Sequence, residues 1–382
     1  MTPGILTLVP RVNDSHFNMQ PAPDRLRDLH QLHQPLDSGD AVRLFKDLSR
    51  SPNHCDFDDP SFSWLISFIE HRRLRSRQLT MLLHSCASFV PKWAPDDTFV
   101  HCTLRAVSMQ LHDFDAMGLT QVVWSTTKMN REIPPFLYAP LFAAIEKTVP
   151  RFNPQDCSNM LWAFARQKSS PPTPTILRVA TLLVSRAAGV AFRCKHMEIA
   201  NIFWASSQLG LNDITLAHQE LLCACVERIA HLLTPQHIAM LLHGASVIHL
   251  SPSATQCVVR RVENTLSTFA PRDLSNALEG CAKMAESARR QEDQENPTTN
   301  KMESVSNIVR LLLQGTRDII GEFDCRDVTS ILFFVERVVR TEGKEQKEGK
   351  EGKEEVVVYQ SSSSWCGADE ELKIAVKDRY IE

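Results

Sequence analysis

The chain has 382 residues, of which 43% are hydrophobic and 23% charged, with a formal net charge of −3. That length holds two or three ordinary domains or one elongated array. The near-neutral balance excludes a generally cationic protein and confines any nucleic-acid surface to a local stripe. Glycine and tyrosine, at 13 and 3 residues, are scarce, and β-branched runs are few, which points to an all-α chain.

In chain order, the start MTPGILTLVPRVNDSHF has a short apolar patch but no basic region, cleavage site or Arg- and Ser-rich character. Residues 1–23 are therefore read as a flexible N-terminus. No apolar run approaches the roughly 20 residues that cross a bilayer. DRLRDLHQLHQPL (24–36) is an N-terminal capping helix, and the helical array runs over 24–340. In NHCDFDDP (53–60), Asp58 and Asp59 ahead of Pro60 fit a helix cap better than a metal cluster. AESARRQEDQENPTTNK (285–301) is a polar insertion without a helical apolar period. TEGKEQKEGKEGKEE (341–355) is a solvated charged linker, and 341–382 as a whole is linker plus mostly disordered tail.

Within the array the chain repeats itself. NPQDCSNMLWAFARQ (153–167) returns as CKHMEIANIFWASSQ (194–208), and self-similarity at fixed spacing marks a repeat architecture. With the tryptophan as position zero, the anchors are Lys46, His84, Trp124, Trp162, Trp204, His243, Glu279 and Phe333. Their spacings are 38, 40, 38, 42, 39, 36 and 54, the last lengthened by the insertion. Position −1 reads Phe45, Leu83, Val123, Leu161, Phe203, Leu242, Leu278 and Leu332. Position −5 reads Ala41, Leu79, Leu119, Cys157, Ile199, Ile238, Leu274 and Val328. Small residues fill +1 (Ser85, Ser125, Ala163, Ala205, Gly244, Gly280) and much of +3, so that a neighbouring helix can come close. At 100° per residue, positions −5, −1 and +2 form one apolar stripe. Second helices follow at 134–149, 173–187 and 252–266, with Pro near their starts. One hairpin cannot bury both faces, so the spacing predicts an α-solenoid of about eight hairpins with a period near 38 residues.

Chemistry-bearing motifs are sparse. The 11 cysteines are odd in number and scattered, as at Cys86, Cys157 and Cys281, and read as reduced thiols acting as small hydrophobes. Cys223 and Cys225 are two apart on a helix and make a poor metal pair. No P-loop, GxGxxG or HExxH occurs, and His237, His243 and His249 are spaced to scatter around a helix. No metal, cofactor, small-molecule substrate or catalytic constellation is expected, and the chain is read as a non-enzyme.

The face opposite the apolar stripe carries a second pattern. Positions −3 and +4 are seven residues apart and lie about 20° from each other on a helix. Position −3 offers Arg43, Gln121, Asn159, Asn201 and Asn276; position +4 offers Arg50, Lys128, Arg166, Gln208, Lys283 and Arg337. Met81 with Ser88, and Met240 with Val247, offer neither amide nor charge. Stacked hairpins would align amides and cations as a ladder. An amide pairs with a base edge through donor and acceptor together, and a cation neutralises the adjacent phosphate. A solvated or protein-binding face is the competing reading. For the position-zero Trp, a wedge between hairpins is favoured over a base-stacking platform.

These residues resemble a known pattern. PQDCSNMLWAFA (154–165), PRDLSNALEGCA (271–282) and MEIANIFWASS (197–207) are similar to the octotricopeptide repeats of algal organelle proteins. They are also similar to the helical arrays that precede the RAP domain in FAST-kinase-like proteins. The resemblance covers roughly 37–340. It implies binding of single-stranded organellar RNA, alongside other RNA-processing proteins, in a mitochondrion or chloroplast. The implied outcomes are transcript stability, processing, ribosomal-RNA maturation or translation. A RAP-type domain would follow the array; here a linker and 28 residues follow it.

Overall fold

A computed structural model of the chain describes residues 20–31, 36–167, 172–292 and 299–319, together with Phe323, Asp327 and Ile331. Among those residues there are fifteen α-helices and no strand. After α1 (Ala22–Gln31) they come in pairs. The first three hairpins are α2 (Ser38–Ser49) with α3 (Pro60–Glu70), α4 (Ser76–Phe89) with α5 (Asp97–Ser108), and α6 (Ala116–Lys128) with α7 (Pro135–Thr148). The next two are α8 (Pro154–Arg166) with α9 (Pro174–Gly189) and α10 (His196–Leu209) with α11 (Leu216–Ile229). The last two are α12 (Pro235–Gly244) with α13 (Pro252–Thr265) and α14 (Pro271–Glu292) with α15 (Thr299–Asp318). These are the first seven expected repeats; the eighth anchor, Phe333, and Arg337 lie outside the described residues. The architecture is an all-α solenoid.

The chain divides into an N-terminal unit, 1–152 with 166–171, and a C-terminal unit, 153–165 with 172–382. Each contains two rows of helices. In the N-terminal unit α2 packs on α4 and α4 on α6, while α1 packs on α3, α3 on α5 and α5 on α7. In the C-terminal unit α10 packs on α12 and α12 on α14, and a second row runs from α9 through α11 and α13 to α15. Hairpin partners in sequence are thus offset neighbours, and the main contacts join equivalent helices of successive repeats.

The apolar stripe explains the row. Every described residue at −1, from Phe45 to Leu278, is essentially inaccessible, as are Leu79, Leu119, Cys157, Ile199, Ile238 and Leu274 at −5. Each such Leu, Ile or Phe contributes about 1.5–3 kcal/mol by leaving water. The small positions set the spacing. A Cβ added at Gly244 would lie 2.2 Å from the carbonyl carbon and oxygen of Phe203 in the preceding repeat. One added at Gly280 would lie 2.6 Å from the backbone nitrogen of His243. Successive first helices therefore meet nearly backbone to backbone.

A second recurring device joins one hairpin to the next. Most second helices end in a short 3-10 turn: Leu111–Asp113, Val149–Arg151, Ala191–Arg193, Ala230–Leu232 and Leu266–Thr268. The extended residue that follows is buried each time: Phe114, Phe152, Cys194, Leu233 and Phe269. It stands ten positions before the anchor, and Leu36, Leu74 and Phe323 occupy the same place and are also buried. In six of the seven described repeats the next residue takes part in capping the first helix, the exception being Ala270. Asp37 accepts from the Asp40 N–H at 2.8 Å and Asp115 from the Gly118 N–H at 2.8 Å. Asn153 and Asp156 exchange two bonds, Asp156 N–H to Asn153 Oδ1 at 2.9 Å and Asn153 N–H to Asp156 Oδ2 at 3.3 Å. The backbone N–H of Lys195 donates to Glu198 Oε2, and that of Arg75 to Gln78 Oε1, both at 2.8 Å. These partners satisfy helix-end N–H groups that otherwise lack one, which is why Asp156 and Glu198 tolerate burial.

Asp59 caps α3 as expected, accepting from the Ser61 N–H at 2.8 Å and from Arg27 Nε at 3.0 Å. Polar composition left the conformation of the insertion over 285–301 open. Helix α14 continues to Glu292 and α15 begins at Thr299, so most of it is helix. Ala, Glu, Arg and Gln are strong helix formers, and extending a helix already fixed by packing costs little compared with nucleating one.

Gly244→Ala should lower stability by about 1–3 kcal/mol through forced separation of α10 and α12, despite the better helix propensity of alanine. Gly189→Ala meets nothing within 4 Å and should be neutral or stabilising by up to about 1 kcal/mol. Urea denaturation of the two variants beside the parent checks this; equal effects would show that the helix rows are not in backbone contact.

Candidate functional site

The first helices present one uncovered face. Position zero is half-buried at Lys46, His84, Trp124, Trp162, Trp204 and Glu279, and buried at His243. Of the predicted −3 residues, Gln121, Asn159 and Asn201 are half-buried, whereas Arg43 and Asn276 are exposed. At +4, Arg50, Lys128, Arg166 and Gln208 are exposed and Lys283 is half-buried. None is sealed inside. In the N-terminal unit this face carries Arg43, Arg50, Gln121 and Lys128; in the C-terminal unit it carries Asn159, Asn201, Gln208, Asn276 and Lys283. Arg166 ends α8, one turn beyond Trp162.

Position zero makes contacts between neighbours. The His84 ring stacks on Trp124 at 5.5 Å between centroids and 20° between planes. Burial, and secondarily the Lys46 ammonium one repeat earlier, holds the His84 imidazole below its ordinary 6.5. Lys46, His84 and Trp124 are thus consecutive steps along one row. In the C-terminal unit Ser207 and Ser246, both at +3, are 3.4 Å apart, which confirms the same alignment of neighbours. The wedge expected of the Trp describes Trp124 in part: one ring face lies against His84, while the residue keeps some exposure.

Several cations of the ladder already have carboxylate partners on their own helix. Arg43 pairs with Asp40, Arg50 with Asp47 at 3.2 Å, and Lys283 with Glu279 at 2.8 Å. Pairs of this exposure are worth roughly 0–1 kcal/mol and exchange readily for another anion. Gln121 presents a different case, because its Oε1 is buried without a hydrogen-bond partner.

The face also extends one turn further than −3. Position −7 brings Arg77, Gln155, Gln236 and Arg272 onto it, together with Met117 and Met197, which are 56% and 54% exposed. Stepping back four residues from −3 would have found them in the sequence. Across −7, −3, 0 and +4 of the seven described repeats, the cations are Arg43, Lys46, Arg50, Arg77, Lys128, Arg166, Arg272 and Lys283. Glu279 is the sole carboxylate in those columns. Among the described residues no group of three or more His, Cys, Asp or Glu could hold a metal ion. No described helix is long and apolar enough to cross a membrane.

No family model and no curated protein matches the chain. Among solved structures it is similar to a circular tandem repeat protein with novel repeat topology and enhanced subunit contact surfaces. That likeness has a TM-score of 0.31 at 8% identity, over 94% of this chain and 87% of the other.

A histidine held below 6.5 favours the neutral ring, so the stability it contributes is present above 6.5 and lost as pH falls through the lower midpoint. Lys46→Met should raise the His84 midpoint in an NMR titration yet leave it below 6.5, because burial is the larger cause. A parent midpoint at or above 6.5 would show that the ring is not enclosed against Trp124.

Proposed function

We propose that this chain binds single-stranded RNA with sequence preference, as a post-transcriptional factor of a mitochondrion or chloroplast. The observation that carries the binding is the charge on the uncovered first-helix face of each unit. In a chain of net charge −3, the four columns hold six cations and no carboxylate in the N-terminal unit, and two cations with Glu279 in the C-terminal unit. Flat rings occupy the middle of that face at His84, Trp124, Trp162 and Trp204, and amides stand one turn away at Gln121, Asn159, Asn201 and Asn276. Stacking on aromatic side chains is worth about 1–3 kcal/mol per base and needs unpaired bases. Amides read base edges, and cations hold phosphates. The organelle, and a role in transcript stability, processing, ribosomal-RNA maturation or translation, rest on the octotricopeptide resemblance alone.

A protein-binding scaffold is the second reading. One observation favours it: Leu182, Phe192, Leu216, Leu221 and Leu232 are exposed on the second helices and turns of the C-terminal unit. These side chains are apolar and stand on elements other than the first helices that carry the cationic columns.

Salt separates the two. Arg77, Lys128 and Arg272 have no salt-bridge partner among the described residues, and replacing all three with Ala should weaken every single-stranded RNA alike. The log–log salt slope should become shallower by about 2, at roughly 0.7 per phosphate contact. Asn159, Asn201 and Asn276 replaced together by Ala should instead leave the slope and flatten the preference among oligonucleotides. Fluorescence anisotropy over a salt series measures both. Parent-like binding by both triple variants would end the RNA reading.

A further inference from the structure

The sixth repeat interrupts the face. It has Met240, His243 and Val247 where an amide, a Trp and a cation stand in the fourth, and His243 is 8% exposed. Its Nε2 lies 2.5 Å from Lys283 Nζ and 3.3 Å from Gln208 Nε2, with Glu279 Oε1 at 3.8 Å. Lys283 and Gln208 are the +4 residues of the seventh and fifth repeats, so one imidazole gathers the side chains of both neighbours.

The chemistry fixes the roles. An ammonium can only donate, so Nε2 accepts from Lys283 and the proton of the neutral ring sits on Nδ1. Nδ1 is buried with no hydrogen-bond partner. Burying a donor without a partner is costly, and an apolar side chain in the same place would avoid that cost. Packing alone does not call for histidine at 243. Its Nε2 instead supplies one lone pair that accepts from Lys283, with the Gln208 amide 3.3 Å away beside it, and Glu279 holds the same ammonium at 2.8 Å.

We propose that His243 is a positioning residue: it latches Lys283 against the seam between α12 and α14 and so withholds it from a bound strand. The phosphate grip then has a gap centred on the sixth repeat, where Met240 and Val247 offer only apolar surface. The consequence for RNA rests on the function proposed above; the latch itself does not.

Two measurements on the full chain test it. The first acylates lysines with acetic anhydride and compares Lys283 with Lys128 in the same sample by peptide mass spectrometry. His243→Ala should raise the Lys283/Lys128 ratio severalfold, while His243→Gln, which keeps an acceptor, should stay near the parent. An unchanged ratio in His243→Ala overturns the latch whether or not RNA binds. The second measures the salt dependence of binding to a mixed-sequence single-stranded RNA oligonucleotide. His243→Ala should steepen the slope by about 0.7, one added phosphate contact, and the same substitution made in Lys283→Ala should not. A raised acylation ratio with an unaltered slope leaves the latch and overturns the withholding. A parent that binds no RNA removes the proposed function and the withholding with it, while the acylation ratio still decides the latch.

Discussion

At Gly244 and Gly280 one helix meets the backbone of the one before it, and the rest of the described architecture depends on that approach. Residues with no side chain, or almost none, at +1 bring successive first helices close enough for Phe203, Leu242 and Leu278 at −1 to be sealed on all sides. Dense interiors do not tolerate an added methyl at such a spacing without movement. The close row also fixes azimuth. Once −5, −1 and +2 face the core, positions −7, −3, 0 and +4 have only the uncovered side left to occupy.

The connection between hairpins enforces this register from one repeat to the next. A buried residue ten positions before the anchor recurs in every described repeat, most often after a 3-10 turn and before a capping side chain, and each first helix starts at a set distance before its anchor. Because the caps act through backbone N–H groups, the position can accept Asp, Asn or Thr, and at Arg75 and Lys195 the reciprocal bond comes from Gln78 or Glu198 instead. The type of residue varies while the geometry stays. Periodic presentation of side chains on the uncovered face follows from these two constraints, close rows and fixed starts, with no need for the exposed residues to contribute to stability.

Those exposed residues are nonetheless not independent. Column zero is where neighbours touch, as His84 does with Trp124 and His243 with Glu279 and Lys283. Substituting one therefore alters the presentation of the next, and the face behaves as a coupled strip. Met81 and Met240 at −3 mark steps where a flexible apolar side chain replaces an amide, and both are half-buried. The ion pairs at Arg43, Arg50 and Lys283 show that part of the positive charge is already balanced locally, so Arg77, Lys128 and Arg272, which pair with no carboxylate among the described residues, weigh more than their number suggests.

The amino-acid sequence by itself determined the helical class, the period and the burial of −5 and −1, because helical periodicity and residue volume are local quantities that recur every 38 residues or so. It also showed the small residues at +1 and the capping Asp59. The buried column ten before the anchor passed unnoticed, since Leu36, Phe114, Cys194 and Leu233 share no chemistry beyond being apolar or soft, and only their common depth unites them. That the helix continues into the insertion was not read, because polar composition and helix propensity point different ways in AESARRQE, and continuation from a packed helix resolved it. What only tertiary structure decided is who meets whom across the row: Lys283 belongs to one repeat, Gln208 to another and His243 to the one between. Their meeting depends on helix spacing and azimuth in three dimensions, which no column of a single repeat records.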